Sequence, residues 1–298
     1  MNQPDKEQKH IPKVSIGMPV FNGAKFIRAA LDSLLAQTFT DFELVISDNA
    51  STDDTETICR EFVSQDCRIR YVRQPVNLGA FGNFSHVLTL AKGQYFMWMA
   101  HDDMVSDMNY LAHLVKAIDC GYDYAFPEID ILNHDDGIVV TNVMSIFQYA
   151  ESTYERAKAS LKINSFQIYA LFRIDVLKEF IRYLEECVHL QCFNEGLFVH
   201  AISTETKGGY IPMARKIYRR HGGNLSASIA PLRLVVDFLR YFGKALRFFL
   251  NTGSMPRYQR LKLILLMLGP YTLYASRLLL YPMLQMIKRV VSLRVCKR

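Results

Sequence analysis

Two neighbouring carboxylates, Asp102 and Asp103, follow the apolar run Tyr95 to Met99 in the string YFMWMAHDDM. Adjacent carboxylates beyond a strand suit a hard divalent cation. Mg²⁺ keeps several waters and takes one or two carboxylates together with substrate phosphates. The pair could therefore bridge a metal to a diphosphate. A solvated turn that opens a helix is the plainer alternative, because Asp is a favoured N-cap residue. A third carboxylate, Asp48, ends the apolar run Phe42 to Ser47 and enters the polar string SDNASTDDT. There it can accept a hydrogen bond from a base N–H of the uracil kind. The alternative is a plain strand–turn–helix connection capped by Ser51.

The elements that must position these groups alternate along the first half of the chain. Val14 to Val20 reads as a buried strand, and Lys25 to Ala36 as a helix with Phe26, Ala30, Leu31, Leu34 and Leu35 on one face. Phe42 to Ser47 is the next strand. Ser51 and Asp54 stand at capping-box spacing and predict a helix to about Val63. Ile69 to Val72 follows as a strand, Asn77 to Gly79 as a turn, Phe81 to Ala91 as a helix and Tyr95 to Met99 as a strand. This alternation predicts a parallel or mixed sheet covered by helices, with ligands beyond the carboxyl ends of its strands. Further on, Tyr124 to Leu132 and Ile138 to Val143 read as a hairpin turning at His134 to Gly137. Helices are predicted over Asp175 to Glu186 and around Glu195 to Ser203. Gly208-Gly209 reads as a break before short strand pieces at 210–212 and 216–219.

The chain has 298 residues, half of them apolar and 21% charged, which excludes a disordered or fibrous protein. Its six cysteines, at 59, 67, 120, 187, 192 and 296, form no C-x-x-C pair. They read as reduced thiols rather than a disulfide framework or zinc site. No apolar run follows the polar start, so no secretory signal is expected and the cytoplasm is the expected compartment. Charge is unevenly distributed. Residues 1–231 hold 22 Lys+Arg against 28 Asp+Glu, whereas 232–298 hold 13 against the single Asp237. A basic appendage of this kind meets something anionic.

Four strings carry a resemblance: VSIGMPVFNGAKFIRAALDSLLAQTF (14–39), FELVISDNASTDDT (42–55), NLGAFGNF (77–84) and YFMWMAHDDM (95–104). In order and spacing they resemble the family 2 glycosyltransferases. The likeness loosens towards residue 226 and lapses beyond. It implies a glycosyltransferase-A fold, a Rossmann-like mixed sheet flanked by helices, over 11–230. It also implies a nucleotide-diphosphate sugar donor such as a UDP-sugar, Mn²⁺ or Mg²⁺, and inversion at the anomeric carbon. Carried onto this chain, Pro19, Phe21 and Asn22 lie on the first nucleotide-binding loop and Asp48 contacts the base. Asn77 and Asn83 line the nucleotide side, and Asp102 and Asp103 take the ribose and metal positions. The family's commonest motif has an acid where Ala100 stands, which leaves the direct ligand open; Asp103 is placed first, with Asp102 beside it. Glu195, in CFNEGLF, is similar in position to the family's general base, ahead of Glu128, Asp130 and Asp135. YRRHGGNLS (218–226) resembles the closing motif, in which Arg219 and Arg220 neutralise the diphosphate and His221 meets metal or phosphate.

From Leu232 the pattern changes to apolar and basic residues at helical spacing. The uncharged run 263–276 carries Gly269-Pro270, and Arg277 separates it from the next run. A spanning helix needs about 20 predominantly apolar residues. Region 231–298 therefore reads as interfacial helices against an anionic membrane at its cytoplasmic side. Packing on the catalytic domain or a homo-oligomer interface is the alternative, and no nucleic-acid motif is present. The whole reads as an enzyme adding a sugar to a saccharide or lipid-linked acceptor in surface polysaccharide or glycolipid synthesis. A sugar nucleotidyltransferase would share the sheet and carboxylates, but Gly17 and Gly23 do not make its glycine-rich loop. A catalytically inactive nucleotide-sugar-binding protein at the membrane is the other rival.

Overall fold

The computed structural model describes residues 10–133, 137–141, 143–161, 166–187, 195–221 and 231–267. In chain order its first elements are β1 (Val14–Val20), α1 (Ile27–Leu35), β2 (Phe42–Asp48), α2 (Thr55–Gln65), β3 (Ile69–Arg73) and α3 (Gly79–Thr89). Next come β4 (Tyr95–Trp98), β5 (Met104–Val105), α4 (Tyr110–Asp119), β6 (Tyr124–Asn133), β7 (Val139–Val140) and α5 (Thr153–Ser160). The last are β8 (Leu171–Arg173), α6 (Ile174–Glu185), α7 (Gly196–Glu205), β9 (Gly208–Arg220) and α8 (Pro231–Asn251).

The described strands join one mixed sheet in the order β3-β2-β1-β4-β8-β6-β9-β5, with β7 on β6. β1 runs parallel to both β2 and β4, and β2 parallel to β3. β8 is antiparallel to β4 and β6, and β5 antiparallel to β9. β1 is buried almost throughout, as a central strand covered on both faces must be. α1 covers it with Ile27, Ala30, Leu31 and Leu34, the i, i+3, i+4, i+7 face of an amphipathic helix. The expected mixed sheet is therefore the one found.

Three local expectations change. Ser51 does not cap a helix: its hydroxyl accepts the Asn22 amide at 2.9 Å, and α2 begins at Thr55 with no side-chain cap. A capping box is formed instead by Ser152 with Glu155, at the start of α5. Gly208-Gly209 does not break the chain but opens β9, which continues for 13 residues. A Cβ on Gly208 would stand 2.2 Å from the Tyr124 ring, and one on Gly209 would stand 3.0 Å from the Tyr122 ring. The glycines admit neighbouring rings to the strand backbone, a recognised use of glycine in strands. The return strand expected over 138–143 shortens to β7, and its turn at 134–136 lies outside the described residues.

The chain gathers into two compact units. The first comprises residues 1–145, 169–178 and 208–219, and the second 146–168, 179–207 and 220–298. The basic C-terminal region expected to begin at 231 thus shares a unit with earlier helices. The second unit has its own core of Ala157, Leu197, Tyr241, Ala245, Phe249, Leu263 and Met267. In it, His200 meets Ser160 Oγ at 2.8 Å and the Tyr241 hydroxyl. Burial lowers the His200 pKa to about 3, so it is a neutral packing histidine. Among the described residues no helix is long and apolar enough to cross a membrane.

Gly93, just before β4, is the tightest backbone approach at the sheet's centre. A Cβ there would lie 2.6 Å from the Ser15 amide nitrogen and 2.8 Å from the Val14 carbonyl carbon. Backbone cannot yield as a side chain can, so Gly93→Ala is expected to destabilise by about 1–3 kcal/mol in urea unfolding.

Candidate functional site

Because β1, β2 and β4 are parallel, their carboxyl ends meet at one edge of the sheet, and the sequence puts its polar strings there. The loop after β1 is stitched to the loop after β2. Asn22, in the left-handed region at φ 50°, accepts the Thr52 amide on Oδ1 at 2.8 Å, while the Gly23 amide donates to Thr55 Oγ1 at 2.8 Å. The Ala24 amide donates to Asp53 Oδ2 at 3.0 Å. Gly23 is buried, and a Cβ there would stand 2.6 Å from the His101 ring. The first loop therefore packs on the AHDD turn.

The expected donor residues divide by what their polar atoms do. Phe21 and Asn22 are exposed on the first loop. Pro19 is not on that loop: it lies within β1, opposite Ser47 of β2. Asn83 does not line an open face either. It is buried, accepts from Ser47 Oγ at 2.6 Å, and donates to the carbonyls of Ser47 at 2.7 Å and Val20 at 3.4 Å. It thereby locks the ends of β1 and β2 together. Asn77 is exposed, with Oδ1 accepting from Asn49 Nδ2 at 2.9 Å and from the Gly79 amide at 2.7 Å. Asn49, unremarked in the sequence, also accepts the Leu78 amide at 2.7 Å, so it shapes the turn that opens α3.

Asp48 is fully buried and already has three protein partners. Its Oδ1 accepts the Ser51 amide at 2.8 Å. Its Oδ2 accepts from the Tyr71 hydroxyl at 2.5 Å and from Arg73 Nη1 at 3.0 Å. Burial, together with the hydrogen bond to Asp48, raises the Tyr71 pKa, so the phenol stays protonated and donating. In this structure Asp48 organises the strand end, and the exposed Arg73 is what reaches solvent from it. The parallel register that sets Asp48 opposite Arg73 brings these groups together.

The Asp102–Asp103 pair splits the same way. Asp102 is half-exposed. Asp103 is 1% exposed, accepts the Arg219 amide on Oδ1 at 3.0 Å, and forms an ion pair with Lys216 Nζ at 2.9 Å. Lys216 is itself wholly buried, with its ammonium 3.2 Å from the centre of the Tyr169 ring. Burial pushes the Asp103 carboxyl up and the Lys216 amine down, and their mutual attraction opposes both shifts. Lys216 stood in the sequence only as part of a strand piece. Its signal was the alternation of β9, which places it on the same inward side as the buried Ala214. Arg219 lies in β9 with its guanidinium 4.8 Å from the centre of the Phe26 ring.

Glu195, Arg220 and His221 belong to the second unit. Glu195 is half-buried at the start of α7, and loss of hydration there raises its pKa. Arg220 is exposed and His221 half-buried. The weaker base candidates have structural partners. Glu128 accepts the Ile129 and Met144 amides at 2.9 and 2.7 Å, and Asp130 pairs with Arg215. Asp135 lies outside the described residues, as do Gly222, Gly223, Cys192, Cys296 and the run 268–298.

Among the described residues no three His, Cys, Asp or Glu side chains cluster to hold a metal. A hexacoordinate Mg²⁺ or Mn²⁺ that draws ligands from water and phosphates needs only one or two carboxylates. Asp102 is half-exposed at this edge, whereas Asp103 is buried against Lys216.

The family model described as Glycosyl transferase family 2 matches residues 15–181. An uncharacterized glycosyltransferase of Rickettsia typhi is 32% identical over 127 residues, 40% of this chain and 39% of that protein. A Campylobacter jejuni protein named as a GalNAc(5)-diNAcBac-PP-undecaprenol beta-1,3-glucosyltransferase is 31% identical over 117 residues, 39% of this chain and 38% of that one. The match thus spans about two-fifths of the length of these relatives. In fold the chain is similar to Staphylococcus aureus TarS, solved with UDP-GlcNAc, at TM-score 0.70 and 18% identity over 89% of this chain and 74% of that one. It is also similar to the mannosyltransferase PcManGT of Pyrobaculum calidifontis, solved with GDP-Man and Mn²⁺, at TM-score 0.61 and 16% identity over 96% and 81%.

Breaking the buried pair from one side leaves a carboxylate without its counter-ion. Lys216→Met is expected to cost about 3–5 kcal/mol in urea unfolding. Adding Asp103→Asn to it should recover much of that loss, since the stranded charge is gone.

Proposed function

The chain belongs to glycosyl transferase family 2, whose model matches residues 15–181, and from that membership we propose an inverting transfer of a sugar from a nucleotide diphosphate to an acceptor hydroxyl. The observation that carries this reading is the convergence of the β1, β2 and β4 ends on one edge, with Asp102 half-exposed there. TarS and PcManGT share the fold and were solved with a UDP-sugar and a GDP-sugar, which supports a nucleotide-sugar donor. The Campylobacter relative's name supports a lipid-linked saccharide as the acceptor class in glycan synthesis. A UDP-sugar remains our choice of donor.

In this reading Asp102, which is half-exposed, would hold a divalent cation, rather than Asp103, which is buried against Lys216. Such a cation, when bound, offsets the negative charge that grows on the departing diphosphate. Phe21 and Asn22 present the first loop to the nucleotide. Asp48 acts at one remove, holding Arg73 and the Ser51 turn in place for the base. Arg219, Arg220 and His221 contribute charge and hydrogen bonds to the phosphates. Glu195 takes the proton of the attacking acceptor hydroxyl, and its raised pKa makes it a stronger base than an exposed glutamate.

A thermal-shift series of nucleotide sugars, with and without Mn²⁺, tests the donor half. A donor at about 100 times its Kd should add about 2.7 kcal/mol of stability. Asp102→Asn should remove the metal-dependent part, and Asp103→Asn should instead lower the Tm of the unliganded protein. No shift with any donor would overturn the reading. For the acceptor half, Glu195→Gln should keep donor binding and lose transfer by about 10²-fold or more. Full transfer by that variant would remove Glu195 from the mechanism.

A further inference from the structure

The second unit carries a surface to which the proposed transfer assigns no role. α8 buries Phe238, Tyr241, Ala245 and Phe249, the inward stripe of an amphipathic helix. On its outer side Leu239 is 61% exposed and Leu250 50% exposed, with the half-exposed Leu246 on the same line at i+7. Successive residues turn by about 100° around a helix, so Arg240 and Arg247 form a basic stripe directly beside these leucines. Residues 257–267 repeat the pattern. Leu263 and Met267 are buried, while Tyr258, Leu261 and Leu265 lie exposed at i, i+3 and i+7 beside Arg257 and Lys262. Across 231–267 the single acid is Asp237, and it is buried; outside that stretch the exposed carboxylates Glu179, Glu186 and Glu205 line one groove with Lys244 and Arg247.

A water-facing helix does not gain by exposing leucines at this spacing, and exposed apolar clusters mark interaction surfaces. Two partners could cover such a face, a second protein surface or a lipid interface. Rows of leucine and tyrosine flanked by arginine and lysine, with no exposed acid within 231–267, match an anionic bilayer. Apolar side chains enter the acyl boundary, and the cations lie at the headgroup phosphates. No helix among the described residues can cross the bilayer, so the contact is in its plane.

We propose that the outer faces of α8 and of helix 257–267 form a membrane-docking surface that lies in the interface of an anionic bilayer, with Leu239, Leu250, Leu261 and Leu265 inserted and Arg240, Arg247 and Lys262 at the headgroups. This surface owes nothing to the donor site, and its failure would leave the transfer reading standing.

The test is co-sedimentation of the full chain with vesicles, either phosphatidylcholine alone or an equimolar mixture with phosphatidylglycerol. The chain should sediment with the mixed vesicles, bind neutral ones far less, and release as salt is raised. The triple change Arg240→Gln, Arg247→Gln and Lys262→Gln should lower partitioning to mixed vesicles on the order of a hundredfold. Leu261→Ser with Leu265→Ser should weaken binding while leaving its salt dependence in place. All these positions are exposed, and unchanged unfolding curves would confirm that the variants fold. Failure to sediment with mixed vesicles, or variants binding as well as wild type, would overturn the proposal. So would a stable dimer in light scattering that the leucine changes dissolve, because the face would then be covered by a second copy.

Discussion

A strand buried on both faces cannot turn to water for its backbone hydrogen bonds, so every peptide group must find a partner in the sheet. β1 meets this constraint by lying parallel between β2 and β4, and the rest of the polar edge follows from it. Parallel neighbours end on the same side. Three separate polar strings, each harmless in isolation, are therefore delivered to one edge. Asn83 holds the β1 and β2 ends against each other there, with hydrogen bonds that a buried amide can make only if the register is right.

Much of the polarity at that edge is spent inside the protein. Asp48, Asn49, Asn83 and Asp103 are buried and partnered, and each fixes a loop or strand end. The exposed or half-exposed groups, Phe21, Asn22, Arg73 and Asp102, stand on what these hold. An edge made this way is pre-organised: its loops are held by hydrogen bonds within the protein. The Asp103–Lys216 pair is the extreme case. Two buried charges are costly unless matched, and here an amide and an aromatic ring support the match.

The second unit works on other terms. Its core is helix against helix, with aromatic and aliphatic side chains from α5, α7, α8 and helix 257–267. One of its inward polar groups, His200, is kept neutral by burial. Among the described residues, the basic side chains Arg240, Lys244, Arg247, Arg257 and Lys262 are exposed or half-exposed, outside this core.

Periodicity determined a great deal of this protein without the structure. Alternation of strand and helix marked the mixed sheet, and β1, β2, β4 and α1 fall within a few residues of their expected bounds, because apolar period is a local property. The four ordered strings were enough to recognise the family. Which polar residues face a ligand was not legible. Asp48, Asn83 and Asp103 have the right types and spacing, yet their atoms are taken by Tyr71, Arg73, Ser47 and Lys216, partners that lie far from them along the chain. Gly208-Gly209 misled for the same reason: glycine permits a break, but the Tyr122 and Tyr124 rings pressing on it make it a strand. Local pattern sets which elements form. Only the tertiary structure decides which side chains remain available for chemistry, because burial and long-range pairing depend on segments that no local window contains.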